Sequence, residues 1–270
     1  MGDELERLVS EVLHSSKYAQ IAPGLISRIG AAELGKRRKF KEAVKATKNK
    51  LHQVGGAYFT AALNYDSWLG ELKQAPDAER LKQTCWMLMG KHTSTRERLP
   101  FLKEFYSRIF SYIPPPESVL DVACGLNPLS IPWMPLAPGT RYLACDIYAD
   151  MVAFISEFIK ILPIDGKTEV CDVIASPPDT AVDLAMVLKT IPCLEQVDKN
   201  AGMCLLDGLN AHYLVLSFPA KSLGGRGGKG MVDNYQTRFE ELAKGRDWKV
   251  LARLEFATEL VFIVQSQKEI

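Results

Sequence analysis

Histidine is scarce in this chain, and its cysteines are not paired in sequence. Four histidines (His14, His52, His92, His212) lie far apart along 270 residues, which leaves little from which to build a zinc site, so no metal is expected. Six cysteines (Cys85, Cys124, Cys145, Cys171, Cys193, Cys204) include no C-x-x-C pair, and most fall inside apolar patterns; they read as reduced core residues of a cytosolic protein. A dinucleotide-binding G-x-G-x-x-G is missing as well. The corresponding positions read Ala123, Gly125 and Asn127, which argues against a pyrophosphate cradle. No apolar run approaches the roughly 18–20 residues of a membrane span, and neither a secretory leader nor an internal repeat is evident. A cytoplasmic protein without a membrane partner is expected.

The near-neutral charge of +1 conceals an uneven distribution. Between Lys36 and Lys50 the run KRRKFKEAVKATKNK holds eight basic residues against the single acid Glu42. Helical periodicity places Phe40, Ala43, Val44, Thr47, Leu51 and Val54 on one face of a helix, with Lys41, Lys45 and Lys48 as a stripe beside it. Charge stripes are usually solvated faces. With no acids interleaved, phosphate binding by Lys36, Arg37, Arg38, Lys41, Lys45 and Lys48 is the favoured reading.

The whole stretch up to about Ile113 reads as helical. Its last helix is expected to open on Ser94, three residues before Glu97 in capping-box spacing, and to carry Leu99, Leu102, Phe105 and Ile109 inward. Pro114 to Pro116 then stop the helix and mark a domain boundary, giving a helical domain over 1–113 and an α/β domain over 114–270. In the second part, strands are predicted near 118–122, 141–146, 167–171, 182–187 and 212–218. The closing pair, 248–256 and 259–266, is separated only by Ala257 and Thr258, which demands an antiparallel hairpin.

The most telling pattern is in three apolar segments that end on Asp121, Asp146 and Asp172 at intervals of 25 and 26 residues and mark three strand ends. That is βαβαβ spacing with acids along one sheet edge, where a doubly wound sheet binds its ligand. Each acid has a use if the ligand is S-adenosylmethionine: Asp121 near the methionine amino group, Asp146 on the ribose hydroxyls, Asp172 on the adenine amine. Five parallel strands and a terminal hairpin match the seven-stranded class I methyltransferase sheet, although four prolines between Pro128 and Pro138 leave little room for a long first crossover helix.

Past the fourth strand lies Lys189, and past the fifth a glycine-rich loop with Lys221, Arg226 and Lys229, suited to an anionic substrate such as RNA. Which atom receives a methyl group stays open at this point. The N/D-P-P-Y/F element of exocyclic-amine methylation is absent after the fourth strand, and Ser176 to Asp179 mimic it in the wrong place. Pro192-Cys193 resembles the thiolate element of pyrimidine carbon-5 methylation, but Leu194 and Val197 at helical spacing place Cys193 on a core face. A guanine N7 needs neither thiolate nor base, only a clamp, for which Lys189 and Arg226 are suitable.

Four segments resemble one family. HTSTRERL (His92 to Leu99), VLDVACGLNPLSIPWM (Val119 to Met134), LKTIPCLE (Leu188 to Glu195) and SLGGRGGKGM (Ser222 to Met231) look like the aminoglycoside-resistance 16S ribosomal RNA guanine-N7 methyltransferases. The resemblance implies S-adenosylmethionine-dependent methylation of N7 of guanine 1405 in the assembled small ribosomal subunit by a monomer with no DNA partner, and it accounts for the proline-rich stretch. By matching motif it implies a cofactor pocket of Tyr58, His92, Thr93, Ser94, Arg98, Ala123, Gly125, Asp146, Ile147, Asp172, Val173, Leu188 and Gln196, with Arg98 on the methionine carboxylate. It assigns Lys189 and Arg226 to the target base, and the helical first domain to ribosomal RNA. Two other readings stand beside it: a ribosome-binding assembly factor that has lost catalysis, and a pyrimidine carbon-5 enzyme using Cys193.

Overall fold

The computed structural model describes residues 2–56, 63–221 and 229–267. Its first half is helical: α1 (Gly2–Leu13), α2 (Pro23–Lys36), α3 (Phe40–Leu51) followed by a π turn (His52–Gly56), α4 (Tyr65–Lys73), α5 (Ala78–Met89), α6 (Thr93–Arg98) and α7 (Leu102–Phe110). Local sequence explains several of these starts. The side chains of Asn64 and Asp77 accept hydrogen bonds from the backbone N–H groups of Ser67 (3.1 Å) and Arg80 (2.8 Å), capping α4 and α5. Pro23 opens α2, where its missing N–H costs nothing.

The capping box expected at Ser94 does not form. The helix starts two residues earlier, with His92 rather than Ser94 at its N-cap, and the Glu97 side chain accepts from Lys189 instead. Pro100 then interrupts the expected single helix with a 3₁₀ turn (Leu99–Phe101), because it has no N–H for the helical ladder.

In the second half follow β1 (Ser118–Val122), a 3₁₀ segment (Asn127–Trp133), β2 (Arg141–Asp146), α8 (Ala149–Ile159), β3 (Asp165–Val170), β4 (Val182–Leu188), α9 (Ile191–Leu194), α10 (Ala201–Gly208), β5 (Ala211–Pro219), α11 (Lys229–Ala243), β6 (Trp248–Glu255) and β7 (Glu259–Ser266). The strand order is β3-β2-β1-β4-β5-β7-β6, with only the pairings of β7 antiparallel. The class I methyltransferase sheet expected from the sequence is therefore present. Pro128 and Pro132 hold the first crossover in a 3₁₀ segment rather than an α-helix. Among the described residues no helix is long and apolar enough to cross a membrane.

Two apolar clusters cover the sheet. One face packs against α10 and α11, through residues such as Leu205, Leu206, Phe239 and Leu242. The other shares a single cluster with the helical first half, in which Leu25, Ile26, Leu51 and Trp68 join Tyr148, Phe154 and Ile155. Backbone hydrogen bonds stitch the halves: Ala22 N–H to Ile147 C=O and Ala149 N–H to Gln20 C=O, each 2.8 Å. That seam lies beside Asp146.

Candidate active site

A cleft opens at the carboxyl ends of β1, β2 and β4, where the strand order reverses on either side of β1. It holds about 910 Å³ of empty space, including the part open to solvent. After β1 the chain turns sharply through two left-handed residues, Ala123 (φ 50°) and Gly125 (φ 53°). A side chain at Gly125 would be tight, since a Cβ there would stand 3.0 Å from the His92 ring. The Gly125 N–H donates to Asp146 Oδ2 (2.9 Å), and Asp146 Oδ1 accepts from the backbone N–H groups of Ile147 (2.7 Å) and Tyr148 (3.4 Å). Burial raises the pKa of Asp146, and these three N–H groups oppose the rise.

Asp121 is sealed in the floor of the cleft. Its Oδ2 accepts from Asn127 Nδ2 (2.9 Å) and from the Tyr142 hydroxyl (2.8 Å), while its buried Oδ1 has no hydrogen-bond partner among the described residues. Burial pushes this carboxyl up to about 7, against the two hydrogen bonds and the Arg98 charge.

Arg98 is fully buried and forms a bidentate pair with Glu259, through Nε (3.0 Å) and Nη2 (2.7 Å); its Nη1 donates to Asn127 Oδ1 (2.7 Å). The methionine carboxylate expected as its partner would thus meet a guanidinium already neutralised by Glu259. Lys189 follows β4 in the left-handed region (φ 57°), a conformation that costs a β-carbon-bearing residue about 1 kcal/mol or more. Its ammonium lies 2.9 Å from Glu97 and 3.5 Å from Glu259, and the Ser217 hydroxyl donates to Glu259 as well (2.6 Å). Glu259 therefore gathers the two cations of the site. Burial works to raise its pKa, but Arg98 and Lys189 outweigh that and the net shift is downward. Burial together with the charges of Arg98 and Lys189 holds His92 neutral, with a pKa lowered to about 3.

At the far end of the cleft, Asp172 lies in a turn beyond β3, where both its oxygens accept from Arg28 of α2 and its Oδ1 also accepts from the Ile174 N–H (3.2 Å). Val173, Ile174 and Leu188 make that end apolar, and Leu25, Val54 and Gly55 bring the helical half into the wall.

Of the residues implied by the sequence, His92, Ser94, Arg98, Ala123, Gly125, Asp146, Ile147, Asp172, Val173, Leu188 and Lys189 line this cleft. Thr93 is buried at the start of α6 outside the lining, and Gln196 is exposed, because α9 is a single turn and ends before it. Cys193 lines the cleft instead of facing the core; Ile191 and Leu194 are the buried members of that turn. Tyr58, Arg226 and the side chain of Lys229 lie outside the described residues. Sequence reasoning misses Arg28, Glu97, Asn127 and Glu259. The only signal at Glu259 is a carboxylate heading an otherwise apolar strand after a two-residue turn.

In the basic region, Lys36 and Lys50 lie 3.9 and 3.6 Å from the buried Glu33, which also pairs with Arg37. The acid that balances the run thus lies just before it in sequence. Arg38, Lys41 and Lys45 are exposed, Lys48 is half-buried, and Lys221 is exposed at the end of β5.

The cleft suits S-adenosylmethionine in its own donor set. An orphaned buried carboxylate oxygen on Asp121 fits an ammonium, Asp146 retains acceptor capacity for hydroxyls, and an apolar slot beside Asp172 fits a purine.

Residues 14–263 match the ribosomal RNA methyltransferase family FmrO. A 16S rRNA (guanine(1405)-N(7))-methyltransferase of Micromonospora echinospora is 38% identical, with 97% of each chain covered. Its namesake in Serratia marcescens is 34% identical over 95% of this chain and 96% of its own. Among solved structures, the 16S rRNA methyltransferase RmtF in complex with S-adenosyl-L-homocysteine superposes with a TM-score of 0.82 at 29% identity, covering 99% of this chain and 100% of its own. The methylase RmtB gives 0.80 at 29% identity, covering 97% and 98%. The chain belongs to the FmrO family of ribosomal RNA methyltransferases.

Proposed function

We propose that this enzyme transfers a methyl group from S-adenosylmethionine to N7 of guanine 1405 of 16S ribosomal RNA, in the small subunit. The observation that carries the cofactor half of this reading is the cleft at the β1–β2–β4 edge, with one unsatisfied carboxylate oxygen on its floor. The target half rests on likeness to relatives of that name along nearly the whole chain.

When bound, the cofactor supplies a methyl carbon made electrophilic by the sulfonium to which it is attached. Asp121 would hold the ammonium end, Asp146 would orient the ribose hydroxyls, and Asp172 would accept from the adenine amine. Guanine N7 carries a free lone pair, so no residue need remove a proton, and the protein's work is alignment and exclusion of water. Methylation moves a positive charge onto the base. Glu97 and Glu259 counter the Lys189 charge beside it, so Lys189 can serve as a hydrogen-bond donor at the target without adding a full uncompensated cation. Arg226 is assigned to the same target.

The helical residues 1–113 hold ribosomal RNA through Arg38, Lys41, Lys45 and Lys48, and residues 114–270 carry the catalytic cleft. The enzyme acts as a monomer in the cytoplasm. A methyl group and a positive charge at N7 stand where certain aminoglycosides bind, so expression confers resistance to them. The test is borohydride and aniline cleavage of 16S RNA from expressing cells, followed by primer extension. A stop at guanine 1405, absent from cells expressing Asp146→Ala, is expected; an unmodified 1405 or a modification elsewhere overturns the proposal.

A further inference from the structure

We propose that Arg28 of α2 is a positioning residue for cofactor recognition, which holds the Asp172 carboxylate for the adenine amine from outside the methyltransferase sheet. The inference rests on the reading of Asp172 as the adenine acceptor. Its starting point is that β3 ends at Val170, so the Asp172 side chain is not oriented by a strand. It sits in a turn in which the Ala175 and Ser176 N–H groups donate to its carbonyl (2.9 and 3.0 Å). Two contacts fix the carboxylate itself: the Ile174 N–H on Oδ1, and Arg28 Nη2 on both oxygens. Arg28 is the only charged one of the two.

A carboxylate that reads an amine must be held at one angle, and Asp172 has only 10% of its side chain exposed. An apposed guanidinium bonded to both oxygens fixes the plane. Arg28 itself does not line the cleft, but Leu25, one turn earlier on α2, does. The helix is thus a wall of the pocket, and Arg28 acts from behind through Asp172. The Arg28 side chain is 30% exposed, with its Nε–H buried and without a partner among the described residues. Selectivity for an amino-purine over a purine without the amine then depends on a residue 144 positions away in sequence.

Isothermal calorimetry tests this with two probes, S-adenosylhomocysteine and its 6-desamino purine analogue, in which hydrogen replaces the amine. Wild type should prefer the amine-bearing ligand by about tenfold, the worth of one charge-assisted hydrogen bond. Arg28→Ala should weaken S-adenosylhomocysteine by a similar factor and leave the analogue nearly unchanged, so that the preference collapses. Arg28→Lys, which keeps the charge, should recover part of it. Equal weakening of both ligands by Arg28→Ala would make Arg28 a structural pin only and overturn the proposal, as would an unchanged or tightened S-adenosylhomocysteine. Asp172→Ala, which leaves no side-chain acceptor, separates the layers. A preference lost in Asp172→Ala but intact in Arg28→Ala defeats the Arg28 role alone, whereas a preference intact in both defeats the adenine-acceptor reading beneath it.

Discussion

Asp121, in the floor of the cleft, and Glu259, buried behind Arg98 and Lys189, have pKa values that move in opposite directions because their neighbours differ. Asp121 meets two neutral donors and an unsatisfied edge, and burial lifts it to about 7. An unfolded aspartate releases its proton near 4, so between about 4 and about 7 the folded state holds the extra proton. Its contribution to stability is therefore greatest in acid and falls as pH rises through that window. A cationic ligand favours the ionised form, so binding of S-adenosylhomocysteine, which keeps the ammonium, should strengthen as pH rises through 7 and should release a proton at pH 6. Calorimetry in buffers of different ionisation heat reads that proton, and Asp121→Asn should abolish it; affinity flat from pH 6 to 8 in the wild type would contradict the assignment. Glu259 instead faces Arg98 and Lys189, and truncation would strand the buried Arg98 guanidinium and leave Lys189 with Glu97 alone. Glu259→Ala should lower unfolding free energy by about 3–5 kcal/mol in urea denaturation. A loss below about 1 kcal/mol would mean that water or Glu97 takes over its role.

At the scale of elements, α3 links the basic surface to the cleft: it carries Lys41, Lys45 and Lys48 and runs directly into the π turn whose Val54 and Gly55 line the pocket. Reversing the charge of Lys41 and Lys45 together should weaken small-subunit binding and flatten its salt dependence by about one log unit per lost phosphate contact, with cofactor affinity unchanged. Subunit affinity unaltered across a salt series would return the stripe to an ordinary solvated face. The strands are legible in the sequence because an apolar run stopping on Asp121 or Asp146 is a local signal, and the two-residue link before Glu259 permits only a hairpin. The start of α6 is not legible. Ser94 and Glu97 have capping-box spacing, but Glu97 forms an ion pair with Lys189, 92 residues away, and a tertiary charge pair overrides the local preference. Arg28, Asn127 and Glu259 escape for the same reason: their partners are set by packing, not by spacing.

For the whole molecule, the triproline is a boundary in pattern more than in structure. Tyr65 and Trp68 of α4 pack on Phe154 of α8 with ring centroids 5.0 and 5.9 Å apart, and the apolar cluster runs without a break from α1 to β7. A division of labour at residue 114 is compatible with this, and the shared cluster predicts that residues 114–270 do not fold on their own. Residues 114–270 alone would expose the face of α8 that the helices cover and would lose Leu25, Val54 and Gly55 from the cleft wall and Arg28 from behind Asp172. A contiguous exposed apolar face of that kind leads to association in water. The fragment should therefore bind the dye ANS, elute as aggregate in size-exclusion chromatography and give no calorimetric signal with S-adenosylhomocysteine, while the full chain elutes as one discrete species and binds it. If the fragment were monomeric and bound the ligand with full-length affinity, the helical half would be an appendage to a self-sufficient cofactor site. The shared core and the Arg28–Asp172 contact predict the opposite, because in this fold the helices that carry the basic stripe also wall the candidate cofactor cleft.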